Sequence, residues 1–230
     1  MFDITKTKAV LWDFDDTLYS RLNTARQVFY GMFREHLYEG RTDAFIRDAV
    51  EYMMTKVHRH TIIHEDAFAG LQEKYPFDKP FSLEVCQDYY DTHFCEFIEW
   101  FPEQLRVVKG LREQGVKLGV ITNATTKRLQ TQRRKIAALH LEDLFDVVVV
   151  SGELGIHKPD RRIFDHTAKL LGVKNEECIY VGDDPNSDIA GALGADMEAV
   201  WLDNWNICSE SFAEDPRAHR VKSILEYFKI

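Results

Sequence analysis

Five short apolar runs constrain the fold of this 230-residue chain more than any other feature of its sequence. Each run is nearly continuous in hydrophobic residues, whereas a strand with one solvated face would alternate apolar with polar residues. Helix-like segments, around 125–139, 161–171 and 186–194, separate the later runs. This alternation predicts an α/β fold: a Rossmann-like parallel sheet in a three-layer α/β/α core with right-handed crossovers. The predicted strands are KAVLWDF (8–14), KLGVIT (117–122), DVVVVS (146–151), CIYVGD (178–183) and AVWLD (199–203).

The segment from residue 20 to residue 101 has a different pattern. It contains no strand-like run, and its apolar residues recur at the spacing of one helix face, as in Ala25, Val28, Phe29 and Met32. We therefore expect an α-helical bundle of about four helices inserted after the first strand. The predicted domains are an α/β core over 1–19 and 102–230 and an inserted helical domain over 20–101.

Polar and charged side chains follow the predicted strands, at the edge where ligands bind in open α/β sheets. Several carboxylates from separate loops would form a hard oxygen site, which suits Mg²⁺ together with substrate phosphate. One aspartate can act as a nucleophile and another as a proton donor and acceptor, while a hydroxyl and a lysine hold phosphoryl oxygens. A surface turn is the alternative explanation for the first aspartate cluster. The candidates are Asp13, Asp15, Asp16, Thr17, Thr122, Asn123, Lys158, Asp183, Asp184 and Asp188.

The order of these groups resembles the haloacid dehalogenase superfamily. That family has DxDxT after the first strand, Ser or Thr after the second, Lys in the third loop and an acidic GD…D after the fourth. The chain carries DFDDTLY, VITNA, GIHKPD and VGDDPNSDIAGA in that order. The resemblance covers the core, about two thirds of the chain. The helical insert is similar to the family's cap in position and size, although no motif identifies it.

The resemblance implies a role for each matching residue. Asp13 corresponds to the nucleophile and a metal ligand, and Asp15 to the general acid and base, with its backbone carbonyl on the metal. Thr122 and the backbone N–H of Asn123 correspond to phosphate-binding groups, and Lys158 to the cation that neutralises the phosphoryl group.

The acidic motif after the fourth strand implies further assignments. Asp183 corresponds to the second metal carboxylate. Asp188 is expected either beside the metal or as the residue that orients Lys158, and Asp184 is an alternative for that part. The segment NSDIAGAL also reads as a helix start, so Asp188 could instead cap a helix. Asp16 stands where the family often has glycine, and no chemical role is assigned to it.

The resemblance implies a Mg²⁺-dependent phosphomonoester hydrolase that works through an aspartyl-phosphate on a small phosphorylated metabolite. A nucleoside 5′-monophosphate is the first expectation for the substrate, and a sugar-phosphate phosphatase or phosphomutase is the alternative. Asp15 and Asp183 argue against a metal-independent 2-haloacid dehalogenase. The intact motif set argues against a non-catalytic interaction protein with the same fold.

Composition excludes other classes of function. With 29 basic and 38 acidic residues, the net charge of −9 argues against binding to a nucleic-acid polymer. No run approaches the ~20 apolar residues of a membrane span, and the start of the chain has no signal-peptide pattern, so a soluble cytoplasmic protein is expected. The four cysteines, without CxxC spacing, are predicted to be reduced. Monomer and homodimer both remain open.

One basic stretch, KRLQTQRRK (127–135), lies after the second predicted strand. We interpret it as the solvated face of a helix, with attraction of anionic substrates as the alternative.

Overall fold

A computed structural model describes residues 3, 5–57, 63–204 and 212–229. The chain divides into two compact units. One, the sheet unit, comprises Met1–Ser20 with Trp100–Ile230, and the other, the helical unit, comprises Arg21–Glu99. Cys208, and His58 and His60, lie outside the described residues.

The sheet unit is built on six parallel strands in the order β3-β2-β1-β4-β5-β6. This confirms the predicted α/β fold, with β1 and its neighbours β2 and β4 at the centre of the sheet. In the central register, Trp12 pairs with Val120 of β2 and with Val181 of β4. The strands are β1 (Ala9–Trp12), β2 (Lys117–Thr122), β3 (Val147–Val150), β4 (Cys178–Gly182), β5 (Glu198–Leu202) and β6 (Ala218–Val221).

Side chains alternate between the two faces of the sheet along each strand, so both faces of these apolar strands carry hydrophobic side chains. Helices cover both faces. Leu11 belongs to a buried cluster with Phe164, whereas the next residue, Trp12, stacks on Phe228 with ring centroids 6.2 Å apart. A Cβ on Gly119 would lie 2.6 Å from Leu11, so glycine at this position of β2 allows the close packing against that cluster. The helices are α5 (Pro102–Glu113), α6 (Leu129–Ala138), α7 (Leu141–Leu144), α8 (Ser151–Leu154), α9 (Arg161–Leu171) and α10 (Ala190–Gly194).

In its described residues, 21–57 and 63–99, the helical unit contains four α-helices, as the helical spacing of its apolar residues predicts. Phe29, Phe33 and Phe68 are buried in contact with one another, with ring centroids 5.6 to 6.5 Å apart. The stripe of apolar residues therefore fills the interior of this unit. The helices are α1 (Arg21–Met32), α2 (Asp43–Met54), α3 (Glu65–Lys74) and α4 (Leu83–His93).

The pattern of apolar runs does not predict β6. Its four residues, Ala-His-Arg-Val, are half polar, and the strand pairs with β5 alone at the edge of the sheet. An edge strand can be stable without a continuous apolar run, so the pattern that identifies β1 to β5 does not find β6.

Two further expectations concern the whole chain. None of the helices in the described parts of the chain has the length and apolar character needed to cross a membrane. The three cysteines within the described ranges, Cys86, Cys95 and Cys178, are free thiols, as predicted.

Candidate active site

The parallel sheet brings the predicted residues of three motifs to one edge. Asp13 directly follows β1, Thr122 ends β2 and Asp183 follows β4, and these three strands are neighbours. The backbone N–H of Asp13 donates to the carbonyl of Val181 at 2.8 Å, which continues the strand pairing into the site. Asp13, Thr122 and Asp183 are all buried.

Lys158 lies at the centre of this group. Its ammonium donates to Asp13 Oδ1 at 2.6 Å, to Asp188 Oδ1 at 2.7 Å and to the hydroxyl of Tyr180 at 2.9 Å. Only 2 % of the Lys158 side chain is exposed. A lysine buried to this degree requires anionic and polar partners, and here three of them surround its nitrogen.

The backbone of Lys158 is held by Asn123. The side-chain oxygen of Asn123 accepts from the N–H of Lys158 at 2.9 Å, and its amide nitrogen donates to the carbonyl of Lys158 at 3.1 Å. Sequence analysis predicts a role only for the backbone N–H of Asn123, which stays a prediction. The side chain has a part that the motif does not show: it ties the loop after β2 to the loop that carries the lysine.

Burial and the neighbouring opposite charge shift the pKa values of Asp13 and Lys158 in opposite directions. Burial raises the pKa of Asp13 to about 7, although Lys158 opposes the shift, and the nearby carboxylate of Asp188 adds to it. Burial alone would lower the pKa of Lys158, but Asp13 and Asp188 outweigh it and hold that pKa well above its usual value. Lys158 is therefore the charge that allows two acidic side chains to share a buried site.

Three buried carboxylates could hold a metal ion. Asp13, Asp183 and Asp188 each offer an oxygen within 4.8 Å of the others. Carboxylate oxygens are the ligands that Mg²⁺ prefers, so the donor set fits a divalent cation. The predicted metal ligands were Asp13, Asp15 and Asp183; the carboxylate of Asp15 is not in this group, and the prediction for its backbone carbonyl stays open.

Asp188 and Asp184, the two candidates for the supporting role, make different contacts. Asp188 contacts Lys158 directly, and its second oxygen accepts from the N–H of Asp184 at 3.1 Å. Asp184 instead caps the following turn by accepting from the N–H groups of Asn186 and Ser187. A Cβ on Gly182 would lie 2.5 Å from the carboxyl of Asp188, so glycine at the end of β4 makes room for this arrangement.

Asp16 and Thr17 shape the turn after β1. Asp16 has a φ of 64°, in the left-handed region that glycine adopts freely and that aspartate tolerates better than most residues. This conformation gives a physical reason for a small or short polar residue at the position. The hydroxyl of Thr17 donates to Asp13 Oδ2 at 3.2 Å, so Thr17 helps to orient that carboxylate.

Asp15 is bound by a separate set of donors. The hydroxyl of Tyr19 and the ammonium of Lys135 donate to its Oδ1, and the amide of Gln132 donates to its Oδ2 at 2.7 Å. The interpretation of 127–135 as a solvated face is therefore wrong for two of its residues. Gln132 is 5 % exposed and Lys135 is 9 % exposed, whereas Lys127, Arg128 and Arg134 are exposed.

The sequence holds a weak signal for this contact. Gln132 and Lys135 are three residues apart, and Ile136, four residues after Gln132, is buried. Residues at these spacings share one helix face, so an apolar residue in a basic helix marks the side that faces inward. The basic composition of the segment conceals that side.

Comparison with known proteins extends these observations. The family model for haloacid dehalogenase-like hydrolases matches residues 7–196. A glyceraldehyde 3-phosphate phosphatase of Methanopyrus kandleri is 33 % identical, over 84 % of this chain and 82 % of its own. A phosphoserine phosphatase of Thermus thermophilus is 29 % identical, over 96 % of this chain and 98 % of its own.

A solved structure shares the fold. The putative HAD-hydrolase YfnB from Bacillus subtilis, bound to magnesium, superimposes with a TM-score of 0.64 at 16 % identity, covering 96 % of each chain. The chain therefore belongs to the haloacid dehalogenase-like hydrolases. It is a phosphatase of that family.

Replacement of Lys158 by glutamine tests the charge balance. With a chelator present, Lys158→Gln should lower the free energy of unfolding by about 3–5 kcal/mol near pH 8, because two buried carboxylates lose their counter-ion. The loss should shrink as the pH falls toward about 5. The folded variant then takes up a proton on Asp13, whose pKa burial raises, while the unfolded chain does not, so protonation favours the folded state.

Urea denaturation at both pH values measures this difference. Lys109→Gln, at an exposed position of α5, is the matched control and should change the unfolding free energy little at either pH. An equal loss at both pH values for Lys158→Gln would show that packing, and not charge, accounts for the effect.

Proposed function

We propose that this phosphatase hydrolyses sugar-phosphate-type monoesters through a phosphoryl group carried on Asp13. The observation that carries the proposal is the ammonium of Lys158, buried between Asp13 and Asp188. A lysine in this place lowers the repulsion between the carboxylate of Asp13 and an incoming phosphate dianion. The same charge holds Asp13 in its ionised, nucleophilic form when substrate binds.

The first step transfers the phosphoryl group to Asp13. An oxygen of Asp13 forms a bond to phosphorus while the bond from phosphorus to the ester oxygen breaks. The departing oxygen takes a proton from Asp15, and the alcohol leaves. The buried ammonium of Lys158 stabilises the charge that builds on the phosphoryl oxygens.

The second step returns the enzyme to its starting state. Asp15, now ionised, removes a proton from water, and the water oxygen attacks phosphorus. The bond between phosphorus and Asp13 breaks, which releases inorganic phosphate. Thr122 and the backbone N–H of Asn123 hold phosphoryl oxygens in both steps, as their place at the end of β2 supports.

We further propose that Mg²⁺ is the metal of this site. Asp13 and Asp183 would hold it, together with the backbone carbonyl of Asp15, and Asp188 would stay with Lys158. The buried carboxylates of Asp13, Asp183 and Asp188 support a hard divalent cation. When bound, Mg²⁺ would supply positive charge that offsets the charge of the phosphoryl group.

The comparisons favour sugar-phosphate-type substrates over nucleotides. The relatives described above are named for glyceraldehyde 3-phosphate and for phosphoserine, which are small esters without a base. The first expectation, a nucleoside 5′-monophosphate, has no support from them. We therefore infer that a short phosphorylated sugar or hydroxy compound is the substrate class.

Two substitutions test the chemical roles. Asp13→Asn should abolish phosphate release, because an amide oxygen is a poor nucleophile. Asp15→Asn should still bind substrate but turn over about 10²- to 10⁴-fold more slowly, since it loses proton transfer in both steps. Steady-state kinetics measures both, and Asp143→Asn, at an exposed position, is the control and should match the parent enzyme. Full activity of Asp13→Asn would refute the proposed nucleophile.

Metal removal tests the cofactor. Hydrolysis of 4-nitrophenyl phosphate should fall to background with a chelator and return when Mg²⁺ is added in excess. The physical reason is that the acidic cluster then lacks the positive charge that offsets the substrate. Equal rates with and without chelator would rule out the metal-dependent mechanism.

A substrate panel tests the class of ester. Phosphate release should give a higher kcat/KM for triose and hexose phosphates and for phosphoserine than for nucleoside 5′-monophosphates. The Asp13→Asn protein serves as a blank for contaminating phosphatases. Preference for nucleotides by tenfold or more would restore the nucleotidase interpretation and contradict the present one.

A further inference from the structure

We propose that Gln132 is a positioning residue that orients Asp15 and Thr122 together. Its single amide nitrogen donates to Asp15 Oδ2 and to Thr122 Oγ1, each at 2.7 Å. This inference rests on the proposed function, which makes Asp15 the proton donor and Thr122 a phosphate ligand. Gln132 lies outside the four motifs, on α6.

The setting of Gln132 restricts its side chain. The residue is 5 % exposed, so its amide has few alternatives to these two partners. The ammonium of Lys135, one helical turn further along α6, and the hydroxyl of Tyr19 bind the other oxygen of Asp15. Donors on both oxygens fix the rotation of the carboxylate, which a single hydrogen bond would not do.

The carboxylate decides which way the amide faces. After the first step of the proposed reaction Asp15 is ionised, and its carboxylate then accepts hydrogen bonds and donates none, so the oxygen of the amide would be repelled at 2.7 Å from it. The NH₂ group must therefore face Asp15, and the same NH₂ group also contacts Thr122. One of its hydrogens serves each partner.

This orientation determines the direction of the Thr122 hydroxyl. Because the amide nitrogen carries hydrogens and accepts none, Thr122 Oγ1 is the acceptor in their contact. The hydrogen of the hydroxyl then points to another acceptor, and no described residue provides one. A phosphoryl oxygen at the edge of β2 would receive it without any reorientation of the side chain.

Gln132 thus links the group that protonates the leaving oxygen to a group that holds the phosphate. A misplacement of about 1 Å in such groups can lower the rate by about 10²-fold. Loss of the contact with Asp15 and loss of the contact with Thr122 should have different effects on the kinetics. Loss of order at Asp15 should affect esters that need a strong proton donor, and loss of order at Thr122 should affect binding of phosphate itself.

The experiment compares Gln132→Leu and Gln132→Glu with the parent enzyme. Each is assayed on the best sugar phosphate of the panel, whose alkoxide leaves poorly, and on 4-nitrophenyl phosphate, whose phenolate leaves without strong proton assistance. We expect kcat/KM to fall at least about tenfold more on the sugar phosphate than on the aryl ester, since general acid help contributes about 10²–10⁴. Glutamate should be the more harmful replacement, because it keeps the size of glutamine but repels Asp15.

Inhibition by inorganic phosphate reports on Thr122. The inhibition constant should rise several-fold in Gln132→Leu, because the hydroxyl loses the partner that orients it. Gln130→Leu, at an exposed position two residues away on the same helix, is the control and should change neither measurement. Thermal unfolding of each variant shows whether it is folded under assay conditions. If Gln132→Leu is unfolded, the same measurements on Gln132→Glu test the inference.

Two results would contradict the inference, and a third would contradict the proposed function. Equal losses on both esters would show that Gln132 only supports the packing of α6. An unchanged inhibition constant for phosphate would remove the part that concerns Thr122. Full activity of Asp13→Asn would instead refute the proposed function on which the inference rests, so the two failures are distinguishable.

Discussion

The ammonium of Lys158 is the interaction on which the arrangement of this site depends. A buried lysine between two carboxylates is stable only when each charge has its partner, because removing any one leaves a charge in a medium of low polarity. The surrounding features serve this requirement. Gly182 leaves space for Asp188, Asn123 fixes the backbone of Lys158, and the hydroxyl of Tyr180 takes the third hydrogen of the ammonium.

The topology of the sheet makes this assembly possible. β1 lies between β2 and β4, so Asp13 meets Thr122 and Asp183 although more than a hundred positions of the chain separate it from either. The network on Lys158 and the network on Asp15 use different donors, which gives two neighbouring aspartates different environments. We propose that this difference separates the nucleophile, Asp13, from the proton-transfer residue, Asp15.

Much of this could be predicted from sequence because it is local. Continuous apolar runs identify β1 to β5, and Asp13, Thr122, Lys158 and Asp183 lie at or shortly after the ends of four of these strands. The hydrogen bonds that Gln132 and Lys135 donate to Asp15 could not be predicted in the same way, because they depend on which face of α6 is buried. In the sequence, Lys135 is one of several basic residues in a helix. The structure shows that Lys135 and the next residue, Ile136, are both buried. The alternatives for Asp184 and Asp188 likewise required the position of Lys158, which the spacing of the motif does not determine.

The central claim is that the phosphoryl group passes through Asp13. Rapid acid quenching of a single turnover with a substrate that carries labelled phosphorus, followed by peptide mapping, tests this most directly. Label is expected on the peptide that contains Asp13, with the chemical lability of an acyl phosphate. Label on any other side chain, or phosphate release in the first turnover with no labelled protein at any time, would contradict it.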